Sequence, residues 1–218
     1  MSMPFFLEKV ISNPASHARW LNSLSYLEYR GFRKIARALQ TQDISMHILS
    51  HAMEEARHAF YFKKLAVKVG GPAFDSYQDV VLLSPVAVKR YFYDLDQNVM
   101  SLFQAKFGSL QYSQIQTVQS TIYQVVTWLI EERAMEVYRT YDQLLKNKKF
   151  EFSLGPVIAD ESRHLSEVGE SAKKLLSQMS LDFNQILKIE NQCFEHLWQS
   201  LQSDLDTVLE MPQATVDR

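Results

Sequence analysis

Apolar side chains recur along this 218-residue chain at steps of three and four, the spacing of one helical face. The first such stripe is Leu21, Leu24, Glu28, Phe32, Ile35 and Leu39. The second is Ile44, Ile48, Ala52, Glu55, Ala59, Phe62, Ala66 and Val69. Each is interrupted by a glutamate where a core-facing residue belongs, and His58 follows Glu55 one turn later on the same side. The first helix is expected from Asn13, a capping residue followed by Pro14 in a position that tolerates proline, to about Leu39. Thr41 to Asp43 are expected to turn the chain and cap a second helix that ends at Gly70 to Pro72. Glu28 lies 13 residues before Thr41 and Glu55 lies 14 after it, so an antiparallel pair joined there brings the two carboxylates to similar height.

Beyond Ala73 the pattern predicts a helix over Pro85 to Phe107, about 34 Å long at the helical rise and long enough to serve as a crossover. A third long helix follows over about Ser113 to Asn147, and a fourth over about Ser153 to Gln178. In the fourth, Pro156 implies a late start or a kink before Glu161. A last amphipathic helix, about 182–210, carries Ile186, Ile189, Cys193, Leu197, Leu201, Leu205 and Val208 and is expected to pack on the bundle or on a partner chain. The fold class is therefore all-α. Forty-six per cent hydrophobic residues with only six Gly and six Pro support one sizeable helical domain spanning 1–218.

Twenty-three basic against twenty-five acidic side chains leave no electrostatic footprint for nucleic acid or for an anionic membrane. The small basic patch at Lys146, Lys148 and Lys149 is the composition of a solvated helix end. One cysteine, Cys193, excludes an internal disulfide and a cysteine-rich metal cluster within one chain. The amino terminus has no basic region followed by an apolar run, and no stretch of 18 apolar residues occurs, so a cytoplasmic location is expected.

The chemistry lies in an internal repeat. "LEYRGF" (Leu27 to Phe32) matches "IEERAM" (Ile130 to Met135), and "EARH" (Glu55 to His58) matches "ESRH" (Glu161 to His164). The offsets, 103 and 106 residues, differ by three, a difference that the turn before the fourth helix can absorb. Positions i and i+3 differ by about 60° around a helix, so Glu55 with His58, and Glu161 with His164, can each reach one point. Chance alone gives about 0.4 Glu-x-x-His matches in a chain of this composition. Two matches on apolar stripes, each preceded by a matching glutamate, point to metal ligation. Four inward carboxylates repel one another and lose their hydration, whereas two divalent cations balance them to zero. Carboxylate and neutral imidazole donors suit iron or manganese.

These stretches resemble the ferritin-like superfamily of carboxylate-bridged di-iron proteins, over roughly Asn13 to Gln178. The resemblance implies a four-helix bundle with a long crossover, here with an extra C-terminal helix, and two iron ions, with manganese or a mixed pair as the variant. Carried over, Glu28 and His58 hold the first metal, Glu131 and His164 the second, and Glu55 and Glu161 bridge. "IEERAME" and "ESRH" look like their counterparts in tRNA-modifying hydroxylases of this class, and the general layout is similar to that of aldehyde-deformylating oxygenases.

Glu131 matches Glu28 in the repeat, while Glu132 and Glu136 share a face with Ile122, Val125 and Leu129, so Glu131 and Glu132 both stand as candidates for the third-helix ligand. His51, one turn before Glu55, is either an outer partner of the ligands or a histidine bonded to backbone. Tyr138, two turns past Glu131, is either a redox residue near the metals or core. Arg30, Arg57, Arg133 and Arg163 lie two residues from a ligand and are expected in ion pairs on the flank.

The resemblance implies an oxidoreductase that activates dioxygen to hydroxylate or otherwise oxygenate an organic small molecule. The alternative is a ferroxidase or peroxide-scavenging protein that handles iron itself, and a third reading gives the metals a purely structural role. With one cysteine there is no built-in rubredoxin-like module, so the oxygenase reading requires a separate electron-donating reductase. A homodimer is compatible with it, and neither nucleic acid nor a membrane is among the expected partners.

Overall fold

The computed structural model describes residues 1–38, 45–108 and 112–210. Among these residues the structure is all-α, with seven helices, two short 3-10 turns and no strand. The helices are α1 (Met3–Ile11), α2 (Pro14–Ala38), α3 (Met46–Gly70), α4 (Pro85–Phe107), α5 (Tyr112–Asn147), α6 (Gly155–Gln178) and α7 (Phe183–Glu210). Among the described residues no helix is long and apolar enough to cross a membrane. The chain divides into two compact units, one of Met1–Lys89 with His196–Arg218, the other of Arg90–Glu195.

In the first unit α2 lies along α3. Asn13 starts α2 as its sequence predicts, Oδ1 accepting from the Ala15 and Ser16 amides at 2.8 and 3.3 Å. The expected turn at Thr41 to Asp43 and the stripe residues Leu39 and Ile44 lie outside the described residues. The cap of α3 is Ser45, whose Oγ accepts from the Ile48 amide at 3.2 Å. Gly71 at φ 86° closes that helix, its backbone N–H donating a hydrogen bond to the Val67 carbonyl at 2.8 Å. The helix α1 was not foreseen; it places Phe6, Leu7 and Val10 in the core, with Phe6 edge-on to Trp20.

Polar side chains of α2 and α3 pin the segment 71–84. Asn22 Nδ2 donates to the Ser76 and Val81 carbonyls at 3.0 and 2.9 Å, and Ser23 Oγ accepts from the Leu83 amide at 2.9 Å. Lys63 Nζ donates to Asn22 Oδ1 and to the Phe74 and Ser76 carbonyls and sits 3.5 Å from the Tyr77 ring centroid. Burial pulls its ammonium down to about 8, against the raising influence of Asp75.

His17 on α2 is 2% exposed, and burial lowers its imidazole from 6.5 to about 4. The unfolded chain therefore takes up this proton at higher pH than the folded one. The stabilisation is complete above 6.5 and is lost as pH falls towards 4, about 3 kcal/mol in all. Urea unfolding midpoints measured through this window should fall with acid. A His17→Asn variant should flatten that part of the profile.

In the second unit α5 packs on α6 around a core of Leu95, Val99, Phe103, Val125, Trp128, Leu129, Leu176 and Ile186. Asp142 caps the entry to α6, accepting from Ser153 Oγ at 3.0 Å and the Leu154 amide at 2.7 Å while pairing with Lys146 at 2.6 Å. Burial raises its carboxyl, but these three partners outweigh it and hold the group below the ordinary range. Pro156 occupies the first turn of α6, so the helix starts late, at Gly155. Residues of α7 pack inside this unit: Glu190 takes Arg133 of α5 in a two-pronged pair, Nε to Oε1 at 2.9 Å and Nη2 to Oε2 at 2.7 Å, and accepts from Tyr91 of α4 at 3.0 Å. Phe194 lies under the Arg133 guanidinium at 4.0 Å.

Candidate metal centre

The stripes of α2 and α3 bury Leu21, Leu24, Ala52, Ala59 and Phe62, and the same faces bury Glu28 and Glu55, at 6% and 7% exposure. His58 Nδ1 stands 3.6 Å from Glu28 Oε2. Glu55 is engaged differently: His51 Nε2 donates to its Oε1 at 3.2 Å, and its Oε2 rests against Gly31 of α2. A Cβ added at Gly31 would overlap that oxygen and stand 3.1 Å from Glu55 Cδ, so the absence of a side chain is what makes room for the carboxylate.

The second unit repeats the arrangement. Glu131 of α5 and Glu161 of α6 are 4% and 2% exposed, and His164 Nδ1 lies 3.7 Å from an oxygen of each. Glu132 is exposed, on the rim of a cleft of about 350 Å³ that Trp128, Arg139, Gly169 and Lys173 also line. Of the two third-helix candidates, the structure buries Glu131 and brings it to His164. Tyr138 is 3% exposed and belongs to the buried interior of its unit.

The donor set fits a divalent first-row metal. Each of the four carboxylates has a histidine as a close neighbour, and carboxylate oxygen with imidazole nitrogen is the combination that iron and manganese accept. Separations of 3.6 and 3.7 Å are too long for a hydrogen bond. They approach the roughly 3.4 Å between two donors that each stand about 2.1 Å from a shared ion. Buried His and Glu groups of this kind could hold a metal ion. His51 was expected either beside the ligands or on backbone, and it hydrogen-bonds a ligand candidate directly.

Of the flank arginines, Arg163 makes the expected surface pair, with Asp160 at 3.5 Å. Arg133 instead enters the buried pair with Glu190, and burial, which lowers its pKa, is outweighed by the hydrogen bonds and charge of that carboxylate, which raise it. Sequence reasoning missed Gly31 as a site residue. Its signal was the small residue three places after the glutamate in each copy of the repeat, Gly31 in one and Ala134 in the other. No protein-family model, no curated protein and no solved structure matches the chain.

Proposed function

We propose that the two Glu/His sets hold two iron ions, and that the protein is a ferritin-like di-iron oxidoreductase that uses dioxygen to oxidise an organic small molecule. The observation that carries the reading is the pair of matching sets, Glu28 with His58 and Glu131 and Glu161 with His164, all of them 1–6% exposed. Carboxylates so withdrawn from water are costly unless cations balance them. A protein that buries them twice, in the same local order, gains most if the cost is recovered by metal.

When bound, two ferrous ions supply the electrons and Lewis acidity with which dioxygen is reduced and a neighbouring molecule oxidised. The side chains bind and orient. His58 and Glu28 would present a nitrogen and an oxygen from adjacent helices, as would His164 and Glu131, and Glu55 and Glu161 would supply the remaining carboxylates. His51 fixes the carboxylate plane of Glu55. The apolar residues around each glutamate, Leu24, Ala59 and Phe62 in α2 and α3, exclude water and strengthen electrostatic interactions inside. Electrons for each turnover come from a separate reductase.

The full chain, produced in iron-rich medium and supplied with a chemical reductant, should contain about two irons per chain and consume oxygen faster than free ferrous iron under the same conditions. Protein that takes up no stoichiometric metal, or that takes it up and leaves oxygen consumption at the level of free iron, would overturn the proposal. A large hollow assembly in light scattering would favour iron itself as the substrate.

A further inference from the structure

The cleft of about 350 Å³ between α5 and α6 takes no part in the metal reading. Its most buried side chain is Trp128, whose ring is tilted against Phe183 at 5.2 Å between centroids. The indole N–H edge faces Gly169 of α6, where an added Cβ would stand 3.2 Å from both Cδ1 and Nε1. Glycine in mid-helix is destabilising relative to alanine, and here its bare Cα leaves the N–H uncovered on the cleft wall. That N–H donates to no group among the described residues. Lys173 lies at the same end, its Nζ 5.7 Å from the Trp128 centroid and 5.8 Å from that of Phe183. It leans over the two rings and forms no ion pair with Glu170, although the two are spaced i, i+3 for one. Glu132, Glu170 and Arg139 also line the cleft, and among the described residues none of them has a hydrogen-bonding or ion-pair partner. Two acids and two bases thus share one recess without neutralising one another.

We infer that this cleft binds a small zwitterion, an α-amino acid with an acidic side chain, independently of any metal. Trp128 Nε1 and Lys173 Nζ are two donors close enough for one carboxylate to accept from both, and a carboxylate is the group that gains most from a charged donor beside a neutral one. Glu132 stands one helical turn from Trp128 on the same side of α5, and Glu170 one turn from Lys173 on α6, so an ammonium next to that carboxylate meets acid from either helix. A simple carboxylate would leave these acids facing its own charge, and a simple amine would leave the Trp128 N–H and Lys173 unused. Arg139 lies seven residues past Glu132, about 10 Å further along α5. A second carboxylate on the ligand's side chain is what this guanidinium accommodates at the far end.

The test is isothermal titration calorimetry of the full chain with L-glutamate, which should bind saturably with one molecule per chain. Glutarate, which lacks the ammonium, and L-glutamine, which lacks the side-chain charge, should each bind at least about tenfold more weakly, the effect of losing one charge-assisted hydrogen bond. Gly169→Ala places a methyl against the indole N–H and should weaken L-glutamate by a similar factor, while alanine is the better helix former. Lys173→Met should do the same and carries the test if the alanine variant does not fold. Arg139→Gln should remove the preference for glutamate over glutamine. Lys174→Met, at an exposed neighbour outside the cleft, should leave binding unchanged. Absence of saturable binding, or glutarate binding as tightly as L-glutamate, would overturn the inference. Binding that survives both Gly169→Ala and Lys173→Met would place the ligand elsewhere on the chain and overturn it equally. Loss of the metal ligands, as in Glu131→Ala, should not abolish binding in this cleft, so the two readings stand or fall separately.

Discussion

Arg133→Met is expected to destabilise the protein by about 3–5 kcal/mol, read as a fall in the urea unfolding midpoint, because it strands the Glu190 carboxylate in the interior of the second unit. Glu190 is 4% exposed and takes both prongs of the Arg133 guanidinium, and Tyr91 donates to the same oxygen as Arg133 Nε. Burial first, and then the charge of Glu190, push the Tyr91 hydroxyl well above its ordinary range, so it stays protonated and serves as a donor only. The methionine leaves one neutral donor facing a full buried charge. The double variant Arg133→Met/Glu190→Met should recover most of the loss, since an apolar pair of similar volume avoids desolvating two ions. If the single and double variants lose equal stability, the arginine contributes through its packing on Phe194 and not through its charge.

Glu131→Ala is expected to empty the second half-site. Its loss of metal affinity should exceed the roughly 10–100-fold that removal of an outer partner costs, measured by metal titration and by metal content after dialysis. In the metal-free state the same variant should be more stable than wild type, because it removes a carboxylate held at 4% exposure beside Glu161 and His164. Opposite signs in the two states mark a residue kept for binding at the expense of the fold. Glu132→Ala is the control. Its side chain is exposed, so stability should change by no more than about 0.5 kcal/mol and metal binding not at all. A Glu131→Ala protein that binds metal like wild type would remove this residue from the site.

Much of the architecture was legible because the pattern repeats at helical spacing and because punctuation is clear. The bounds of α4, Pro85 to Phe107, follow from a proline that can only begin a helix and from Gly108, which at φ 60° ends it. The two Glu-x-x-His stretches and their upstream glutamates were legible from the repeat, and the pairing of Glu28 with His58 and of Glu131 with His164 followed from the family resemblance. What escaped was tertiary. A nine-residue α1 shows too few turns for periodicity to stand out. The fixing of the segment 71–84 by Asn22, Ser23 and Lys63 depends on which backbone carbonyls pass over α2 and α3, and no local pattern encodes that. Glu131 and Glu132 could not be separated by stripe, because a one-residue step rotates a side chain by about 100° and both flank the same seam. Arg133 reads as a surface residue until its partner, 57 positions later on α7, is brought to it.

Carrying both copies of the Glu/His hairpin in one polypeptide has a consequence that a pairing of identical short chains would not permit. In a two-fold assembly of one hairpin, every substitution beside one ion is imposed on the other. Covalent linkage removes that constraint, so glycine could stand at 31 while alanine stands at 134, and histidine at 51 while valine stands at 157. The doubled chain is free to let its two Glu/His sets diverge.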